Sequence, residues 1–458
     1  MPEPSGAPHP YIPNTGEDRA RILERLGMQS PDELFADLPE PYRDPPIELP
    51  PALAEADLIR LMRITAAKNR DGGDRPNFLG AGACRRSVSS VVPYLVSRSE
   101  FMTAYTPYQP EISQGTLQSA FEYQSVVCEL TGLDVSNTGL YDGASATAEA
   151  CLLAARVTAR KAVALLEPIH PHTADVVRTY AYGANLRVDI VADASAASEE
   201  HACLVVQQPD FLGSIVDVEA AAKAAHDAGA LCVVMADPFA LGMLRAPGDA
   251  GADVVTGEGR DLAGPMAFGG PSLGLFAARN EYLRQMPGRI VGRTKELHGP
   301  RGAGGEELAP RTGYVLTLQA REQFIRRERA TSNISTGQSL IALAFTIAVQ
   351  ALGPRGLREA AELCYQRAHD AAHRIDALSG FEVPSQGPWF QEFPVRGPLP
   401  ALELRARLAE HGITAGLDVS SRDEPEAREA LLFCVTEATP AEHVDALIEA
   451  LRDIGGGR

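Results

Sequence analysis

The chain has 458 residues, 45% of them hydrophobic and 22% charged, which is typical of a soluble globular protein with a large core and more than one domain. Its net charge of −18 argues against nucleic acid or an anionic membrane surface as a partner. The seven cysteines form no CxxC pair and mostly lie in apolar runs. They predict small buried side chains in a reducing cytosol rather than disulfides or a zinc cage, and we expect no metal.

The first fifty residues are rich in proline and acid and contain one amphipathic stretch, EDRARILERLG at 17–27. They have neither the basic start nor the apolar core of a secretory signal. We predict an N-terminal arm over 1–60, with a short helix that wraps a partner or the chain's own domain.

Between residues 120 and 290, segments with helical periodicity alternate with short apolar segments. The strand-like segments are 161–168, 186–191, 202–209, 231–238 and 252–259. Strands interleaved with helices predict an α/β fold in which a mostly parallel sheet is covered by helices on both faces.

The sequence after residue 335 has a different character. Its apolar run at 340–352 is too short to span a bilayer and predicts a buried helix. Short strands and two amphipathic helices follow, as in a small α+β domain. We therefore predict a large domain over 61–335, a small C-terminal domain over 336–458 and a cytoplasmic location.

Three predicted element ends carry residues suited to binding a ligand. Ser145 and Thr147 begin a strongly helical run, where free N–H groups and the helix dipole can hold a phosphate; ordinary helix capping explains them equally well. Asp237 ends an apolar strand, at the sheet edge where such folds bind ligands, or caps the turn before Pro238. His170 follows another strand end, where it either stacks on a cofactor ring or occupies a turn beside proline.

A residue expected nearby is missing. The apolar segments at 231–237 and 252–255 resemble those that lead to the catalytic lysine of pyridoxal-phosphate enzymes, yet the sequence then reads TGEGRDLAGPMAFGGP. The chain has only four lysines, all of them elsewhere: Lys68, Lys161, Lys223 and Lys295. This scaffold therefore cannot hold such a cofactor covalently.

Two further groups allow two interpretations each. His369 and His373 have the spacing of a metal-binding pair, but their segment is charged and offers no third ligand, so a solvated helix face is favoured. The stretch IRRERATSN at 325–333 places three arginines beside hydroxyls, which suits carboxylate or phosphate recognition or an exposed charged turn.

Long stretches of the sequence resemble one family. They include SRSEFMTAYTPYQPEISQGTLQSAFEYQSVVCELTGLDVSNTGLYDGASATAEA, FGGPSLGLFAARNEYLRQMPGRIVG and YVLTLQAREQFIRRERATSNIST. The likeness is to subunit 1 of the two-subunit glycine dehydrogenase (decarboxylating), in the P-protein family of the glycine cleavage system. It extends over nearly the whole chain.

The resemblance implies pyridoxal-phosphate fold type I and a heterotetramer with two copies of each subunit. It also implies that the homologous subunit 2 carries the reactive lysine and holds pyridoxal 5′-phosphate covalently. In this chain the lost lysine aligns with Arg260, whose permanent charge cannot replace it. The assembled enzyme releases carbon dioxide from glycine and passes the aminomethyl group to the lipoyl arm of H-protein, so this chain is expected to be inactive alone.

The resemblance further suggests site residues. Those expected to line the shared catalytic site belong to the segment AYTPYQPE: Tyr105, Thr106, Tyr108, Gln109 and Glu111. Thr331 and Asn333 resemble the segment by which related enzymes reach a neighbour's phosphate. The cofactor-binding remnants of a second, degenerate pocket are then Ser145, Thr147, His170 and Asp237.

Several positions depart from the family pattern. Cys84 and Arg86 lie where a tyrosine and a histidine are usual, Phe324 replaces a histidine, and residues 298–310 are an insertion. Such changes either alter acid–base chemistry near the site or reflect drift away from the substrate. Three functions stay open: a glycine decarboxylase subunit, a divergent paralogue acting on another small amino acid or acceptor, and a non-catalytic scaffold subunit.

Overall fold

The computed structural model describes residues 11, 14–43, 45–46, 48–69, 75–102, 105–301 and 303–456. The chain forms two compact units, Met1–Arg70 and Asp71–Arg458, which are described separately. The N-terminal stretch for which we predict no secretory signal lies mostly outside the described residues.

The first unit contains two helices whose residues are all at least partly exposed. Helix α1 (Gly16–Leu26) confirms the helix predicted at 17–27, and a capping box between Thr15 and Asp18 starts it, with each side chain accepting the other's backbone N–H at 3.2 and 3.0 Å. Helix α2 (Glu55–Ala66) follows. Exposed apolar side chains on the two helices include Ile22, Leu26, Leu58, Ile59, Leu61, Met62 and Ile64. Within the described part of this unit, no residue is buried, so it has no core of its own.

The second unit contains the remaining elements. Its helices are α3 (Val91–Val96), α4 (Gln114–Thr131), α5 (Gly143–Thr158), α6 (Pro171–Ala184), α7 (Val218–Asp227), α8 (Arg260–Ala263), α9 (Gln323–Arg326), α10 (Ser339–Asp376), α11 (Ala401–Glu410) and α12 (Ala441–Gly456). Its strands are β1 (Val135–Ser136), β2 (Ala162–Leu166), β3 (Arg187–Val191), β4 (His201–Gln208), β5 (Leu231–Ala236), β6 (Val254–Glu258), β7 (Gly274–Ala278), β8 (Ile290–Lys295), β9 (Thr312–Thr317), β10 (Glu392–Arg396), β11 (Leu417–Asp418) and β12 (Ala430–Cys434).

The large sheet has the strand order β1-β7-β6-β5-β4-β2-β3. Neighbours from β6 to β3 are parallel, whereas β7 is antiparallel to both β6 and β1. The inner strands β2, β4 and β5 are mostly apolar because both of their faces are buried, and adjacent Val205 and Val206 of β4 enter different core clusters. The predicted mostly parallel sheet is confirmed. Its carboxyl edge brings the residues after β5 and β6 together.

Helix α10 contains the apolar run predicted at 340–352. Its length and composition alone would allow it to span a membrane. Non-helical backbone at Gly353 (φ 63°, ψ 175°), just before Pro354, divides it into two shorter helices. Phe345 on the first of these is fully buried in the core of the large sheet, in keeping with the expected buried helix.

A second, antiparallel sheet has the order β10-β12-β11, and its core includes Phe393, Phe433, Leu404 and Leu447. The segment before Cys84 runs beside it, since Phe78 donates to Thr414 O and accepts from Cys434 N, both at 2.9 Å. This pairing positions the loop of residues 80–86, and the Cys84 N–H then donates to Asp261 Oδ2 (2.9 Å) beyond the end of β6. The division into domains at 335 stays a prediction.

Strands β8 and β9 form an antiparallel pair joined by a connection that includes the insertion at 298–310. Within it, Arg301 and Glu307 form an isolated antiparallel bridge.

Candidate active site

Arg260 occupies the position expected for the reactive lysine, as the first residue of α8 just beyond β6. Its guanidinium donates to Gly82 O (2.9 Å) and to Asp261 Oδ1 (2.9 Å), and its side chain is 15% exposed. The charge is therefore fixed between the loop of residues 80–86 and a neighbouring carboxylate. It offers no nucleophile to a carbonyl cofactor.

Asp237 follows β5 at the carboxyl edge of the sheet. Its carboxylate accepts from Phe239 N (2.8 Å) and Gln391 Nε2 (3.1 Å), and the Arg86 guanidinium lies 3.5 Å away. Burial raises the pKa of the Asp237 carboxyl, and the charge of Arg86 opposes that effect. Groups of the same chain thus take the acceptor sites that a pyridinium nitrogen would use.

The guanidinium of Arg86 lies next to Asp237 and takes up part of the space at this sheet edge. Its side chain is 2% exposed, pairs with Glu437 at 3.2 Å and lies 3.8 Å above the ring of Phe239. The cavity left beside Asp237 measures about 90 Å³, whereas small-molecule sites usually enclose roughly 300–1,000 Å³. These residues do not fit pyridoxal phosphate, so no chemical step is assigned to this pocket, which we call the closed pocket.

The start of α5 explains Ser145 and Thr147. Asp142 caps the helix by accepting the Ser145 N–H (2.7 Å) and hydroxyl (2.8 Å), while the Gly143 N–H donates to Glu258 Oε2 (3.1 Å). Buried Thr147 donates to Gly143 O (2.9 Å) and lies 2.8 Å from the Thr256 hydroxyl. Two carboxylates therefore occupy the end of the helix that a phosphate would need.

His170 is the N-cap of α6. Its Nδ1 accepts from His172 N (3.1 Å), so the proton of the neutral ring lies on Nε2, which donates to Ala81 O (3.0 Å). The ring also meets Phe211 edge-on, with centroids 4.9 Å apart. Burial lowers the pKa of His170, which favours this neutral form. The ring therefore positions the loop of residues 80–86 and does not face an open pocket.

A second and larger cavity, of about 510 Å³, lies where α4, the residues after Phe101 and the start of α10 meet. We call it the open cavity. Tyr105 lies at its edge, 80% exposed, and donates to the Thr336 hydroxyl (2.9 Å). The hydroxyl of fully buried Tyr123 and the Nε of Arg289 have no hydrogen-bond partner among the described residues, although both residues line the cavity. Such unsatisfied polar groups are rare in proteins and suit a site completed by another molecule.

Tyr108 lies beside the open cavity and is 53% exposed. Arg289 Nη2 is 3.5 Å from the Tyr108 hydroxyl and donates to Ser335 O (2.8 Å), which links the tyrosine to the cavity wall. Phe324, one of the departures from the family pattern, meets the Tyr108 ring edge-on at 6.5 Å between centroids. The contact of Phe324 with Tyr108 is therefore purely aromatic, and Phe324 supplies no titratable group here.

The other residues expected from AYTPYQPE lie nearby in sequence but differ in exposure. The Thr106 hydroxyl is buried and has no hydrogen-bond partner among the described residues. Gln109 and Glu111 are exposed around a short 3-10 turn, Pro110–Ile112. The segment therefore presents one buried hydroxyl and several exposed groups.

Thr331 and Asn333 lie elsewhere. They line a separate cavity of about 480 Å³ together with Arg156, Arg160 and Lys161. Ile334, the next residue, lines the open cavity instead, so the segment passes between the two cavities. The structure brings Tyr105 and Tyr108 together but not with Thr331 and Asn333.

The histidine pair is not a plainly solvated face. His369 is stacked between Tyr365 (3.8 Å) and Trp389 (3.6 Å between centroids), while His373 is exposed. The sequence expectation of a solvated face is therefore wrong for His369, because the lone tryptophan packs on it from a distant segment.

Sequence reasoning missed several participants. Arg289 and Thr336 at the open cavity, and Gln391 and Glu437 at the closed pocket, were not singled out. Their contacts with Tyr108, Tyr105, Asp237 and Arg86, respectively, join residues more than 150 positions apart, and no local spacing indicates them. Among the sequence features, the departure of Arg86 from the family pattern was the one that pointed to the closed pocket.

Comparisons with known proteins agree with this architecture. A sequence profile described as "Glycine cleavage system P-protein" matches residues 9–451. The "Probable glycine dehydrogenase (decarboxylating) subunit 1" of Thermomicrobium roseum is 45% identical over 455 residues, which cover 97% of this chain and 99% of that protein.

Solved structures give the fold. A crystal structure of glycine decarboxylase (P-protein) of the glycine cleavage system, in inhibitor-bound form, is 39% identical with a TM-score of 0.84, covering 97% of this chain and 100% of that one. A Burkholderia pseudomallei sphingosine-1-phosphate lyase is 14% identical with a TM-score of 0.61, covering 92% and 97% of the two chains, and shares the fold alone. The expected pyridoxal-phosphate fold type I is confirmed.

Proposed function

Since the chain belongs to the glycine cleavage system P-protein family, we propose that it is the lysine-lacking subunit 1 of a two-subunit glycine decarboxylase. In this proposal it completes an active site whose reactive lysine and pyridoxal 5′-phosphate belong to the homologous subunit 2. The observation that carries the proposal is the contrast between the closed pocket at Asp237 and the open cavity beside Tyr105.

The chemistry that pyridoxal phosphate supplies to such a site is an electron sink for the charge left when glycine loses carbon dioxide. The part played by this chain is to line and close the site. Tyr105 and Tyr108 present exposed rings and hydroxyls, and Arg289 holds the Tyr108 hydroxyl from behind. Exclusion of water by these rings strengthens the polar interactions made inside.

Polar groups of the same segment orient the substrate in this proposal. The buried, unpartnered hydroxyl of Thr106 is available to bond a substrate or partner group, and Gln109 and Glu111 are exposed beside it. Thr331 and Asn333 lie in a cavity with three basic residues, whose charge suits a phosphate of the neighbouring subunit.

The proposed partners are glycine, the lysine-bearing subunit 2 and the lipoylated H-protein, in a cytoplasmic heterotetramer. The first unit supports an obligate assembly, because its described residues expose many leucine and isoleucine side chains and bury none. An arm of this kind gains a core only by packing on another surface. We also propose the domain limits 1–60, 61–335 and 336–458 for this subunit.

Reconstitution tests the proposal. The chain, its lysine-bearing homologue and lipoylated H-protein are combined, and exchange of labelled bicarbonate into glycine is measured. We expect exchange only when both subunits are present. A Tyr108→Phe chain should lower kcat roughly tenfold or more, since losing about 1.4 kcal/mol of transition-state stabilisation costs a factor of ten.

Tyr182→Phe is the matched control, because Tyr182 is 90% exposed on α6 and does not line the open cavity. It should leave kcat unchanged. Full exchange by the homologue alone, or an unchanged kcat in Tyr108→Phe, would show that this chain is only a scaffold.

A further inference from the structure

Three potential metal ligands from distant parts of the chain meet at one edge of the closed pocket. Glu392 on β10 and Cys434 on β12 are direct cross-strand partners, so their side chains lie on the same face of the small sheet. The loop of residues 80–86 brings Cys84 onto that face, with its Sγ 3.7 Å from Cys434 Sγ. One donor atom from each residue lies within 4.8 Å of the other two.

We propose that Cys84, Cys434 and Glu392 bind one zinc ion. Two thiolates and a carboxylate match the ligand preference of Zn²⁺, and zinc–sulfur bonds of about 2.3 Å in a tetrahedral site place the two sulfurs roughly 3.8 Å apart. The separation of 3.7 Å in this structure is close to that value. The site departs from the sequence expectation of simple buried cysteines, because the pairing of β10 with β12 is not visible in the sequence.

Gln391 provides an independent indication of a missing group. Gln391 is only 3% exposed, and its Nε2 lies 3.5 Å from Cys84 Sγ. Its Oε1 is buried without a hydrogen-bond partner among the described residues. Three protein ligands leave the fourth zinc position to water, and in this proposal the unpartnered Gln391 Oε1 accepts a hydrogen bond from that water.

The backbone around the site is shaped to fit these side chains. A Cβ on Gly80 would lie 2.4 Å from both Cys434 Cβ and Glu392 Oε1, so only glycine allows the loop to pass this close. The next N–H, that of Ala81, donates to Glu392 Oε1 (2.5 Å) and orients the carboxylate. Hydrogen bonds of this kind fix metal ligands in place.

The surrounding charge permits a divalent cation. Cys84 and Glu392 line the cavity of about 90 Å³, whose wall also carries Glu258 and Asp261. The nearby cation Arg86 is already paired with Glu437 and Asp237, which limits its repulsion of a metal. On binding, two thiol protons are released and two S–Zn bonds form, with no change of oxidation state.

The test uses the full chain, reduced and freed of metal with a chelator. Zn²⁺ is titrated against a chromophoric chelator, and Co²⁺ is used as a spectroscopic probe. We expect one tight equivalent of zinc, and with cobalt a near-ultraviolet thiolate charge-transfer band with the intense visible absorption of a tetrahedral ion. Cys84→Ala and Cys434→Ala should lose the equivalent, and Glu392→Gln should weaken it at least tenfold.

Cys151→Ala is the matched control, since Cys151 is also buried beside a second cysteine, Cys203, in the core of the large sheet. It should keep both the zinc equivalent and the cobalt spectrum. If a cysteine variant fails to fold, the Glu392→Gln titration and the wild-type cobalt spectrum still decide the matter. No tight equivalent in the wild type, a cobalt spectrum without thiolate bands, or zinc retained in Cys84→Ala and Cys434→Ala would overturn the proposal.

Discussion

The closed pocket and the open cavity lie in the same unit of the chain but differ in their free space and in how their charged groups are paired. At the closed pocket, Asp237, Arg86 and Arg260 are each bonded to other groups of this chain, and the cavity that remains measures about 90 Å³. At the open cavity, of about 510 Å³, the Tyr123 hydroxyl has no hydrogen-bond partner among the described residues, and Arg289 Nε has only an ion-pair contact with Glu322 at 3.8 Å. The closed pocket therefore lacks the room for a cofactor, whereas the open cavity has room for a group of another molecule.

The difference also bears on stability. Arg260 offers no amine for covalent chemistry, and the guanidinium of Arg86 lies between Asp237 and the ring of Phe239. We therefore expect the contacts that close this pocket to stabilise the fold. The following three changes test this view.

The largest effect is expected from Arg86→Ala. Removing this buried guanidinium leaves Asp237 and Glu437 without their cation, and breaking a buried ion pair in this way costs about 3–5 kcal/mol. Urea unfolding of the chain measures the loss. Arg178→Ala, which removes an exposed pair with Asp175, is the control and should cost less than about 1 kcal/mol. Equal losses in the two variants would contradict the role given to Arg86.

A smaller effect is expected from pH at His170. Burial lowers the pKa of the folded ring below its ordinary value of 6.5, so between the two values the unfolded chain binds more protons than the folded chain. Its contribution to stability is therefore fully present above pH 6.5 and is lost as the pH falls through the folded value, with a slope of at most about 1.4 kcal/mol per pH unit.

The variant His170→Asn isolates the contribution of the histidine to the pH dependence. Its amide oxygen can still accept the hydrogen bond from the His172 N–H, but it does not titrate. We expect the unfolding free energy of the wild type, relative to that of the variant, to decrease as the pH is lowered from 7.5 to 5. A difference independent of pH would show that the ring is not held neutral by its surroundings. The His172→Gln chain should keep the direction of the wild-type dependence, since burial is the main cause of the shift at His170 and the charge of His172 a lesser one.

No effect is expected from restoring the lysine alone. An Arg260→Lys chain should still fail to form a borohydride-trapped adduct with pyridoxal phosphate, because Arg86, Gln391 and the capped start of α5 continue to occupy the pocket. The lysine-bearing homologue is the positive control. A trapped Lys at position 260 would mean that the pocket opens more readily than its contacts indicate.

Much of the fold was predictable from local patterns. The strands at 161–168, 202–209 and 231–238 are long apolar runs, and such runs predict buried parallel strands because both faces of the sheet are covered. The break in α10 at Gly353 falls where the predicted apolar run of 340–352 ends, because glycine followed by proline interrupts a helix; the second half, which continues to Asp376, was not predicted.

The site was predictable only in part. The exposed segment with Tyr105 and Tyr108 was found through its resemblance to a family. Arg289, by contrast, acts through a bond to Ser335 O, and a contact between residues 46 positions apart leaves no periodic signal. The helix start at Ser145 was correctly identified as polar, but its cap is Asp142, whose carboxylate excludes the phosphate that the small residues suggest.

The position of Arg86 has a consequence for any redesign of this pocket. Its side chain joins Asp237, Glu437 and the ring of Phe239, which come from three separate segments. Cofactor binding by this chain alone would require variants that lack this cation, and we expect such variants to be less stable than the present chain. A design for independent binding therefore needs a compensating stabilising change elsewhere before the pocket is opened.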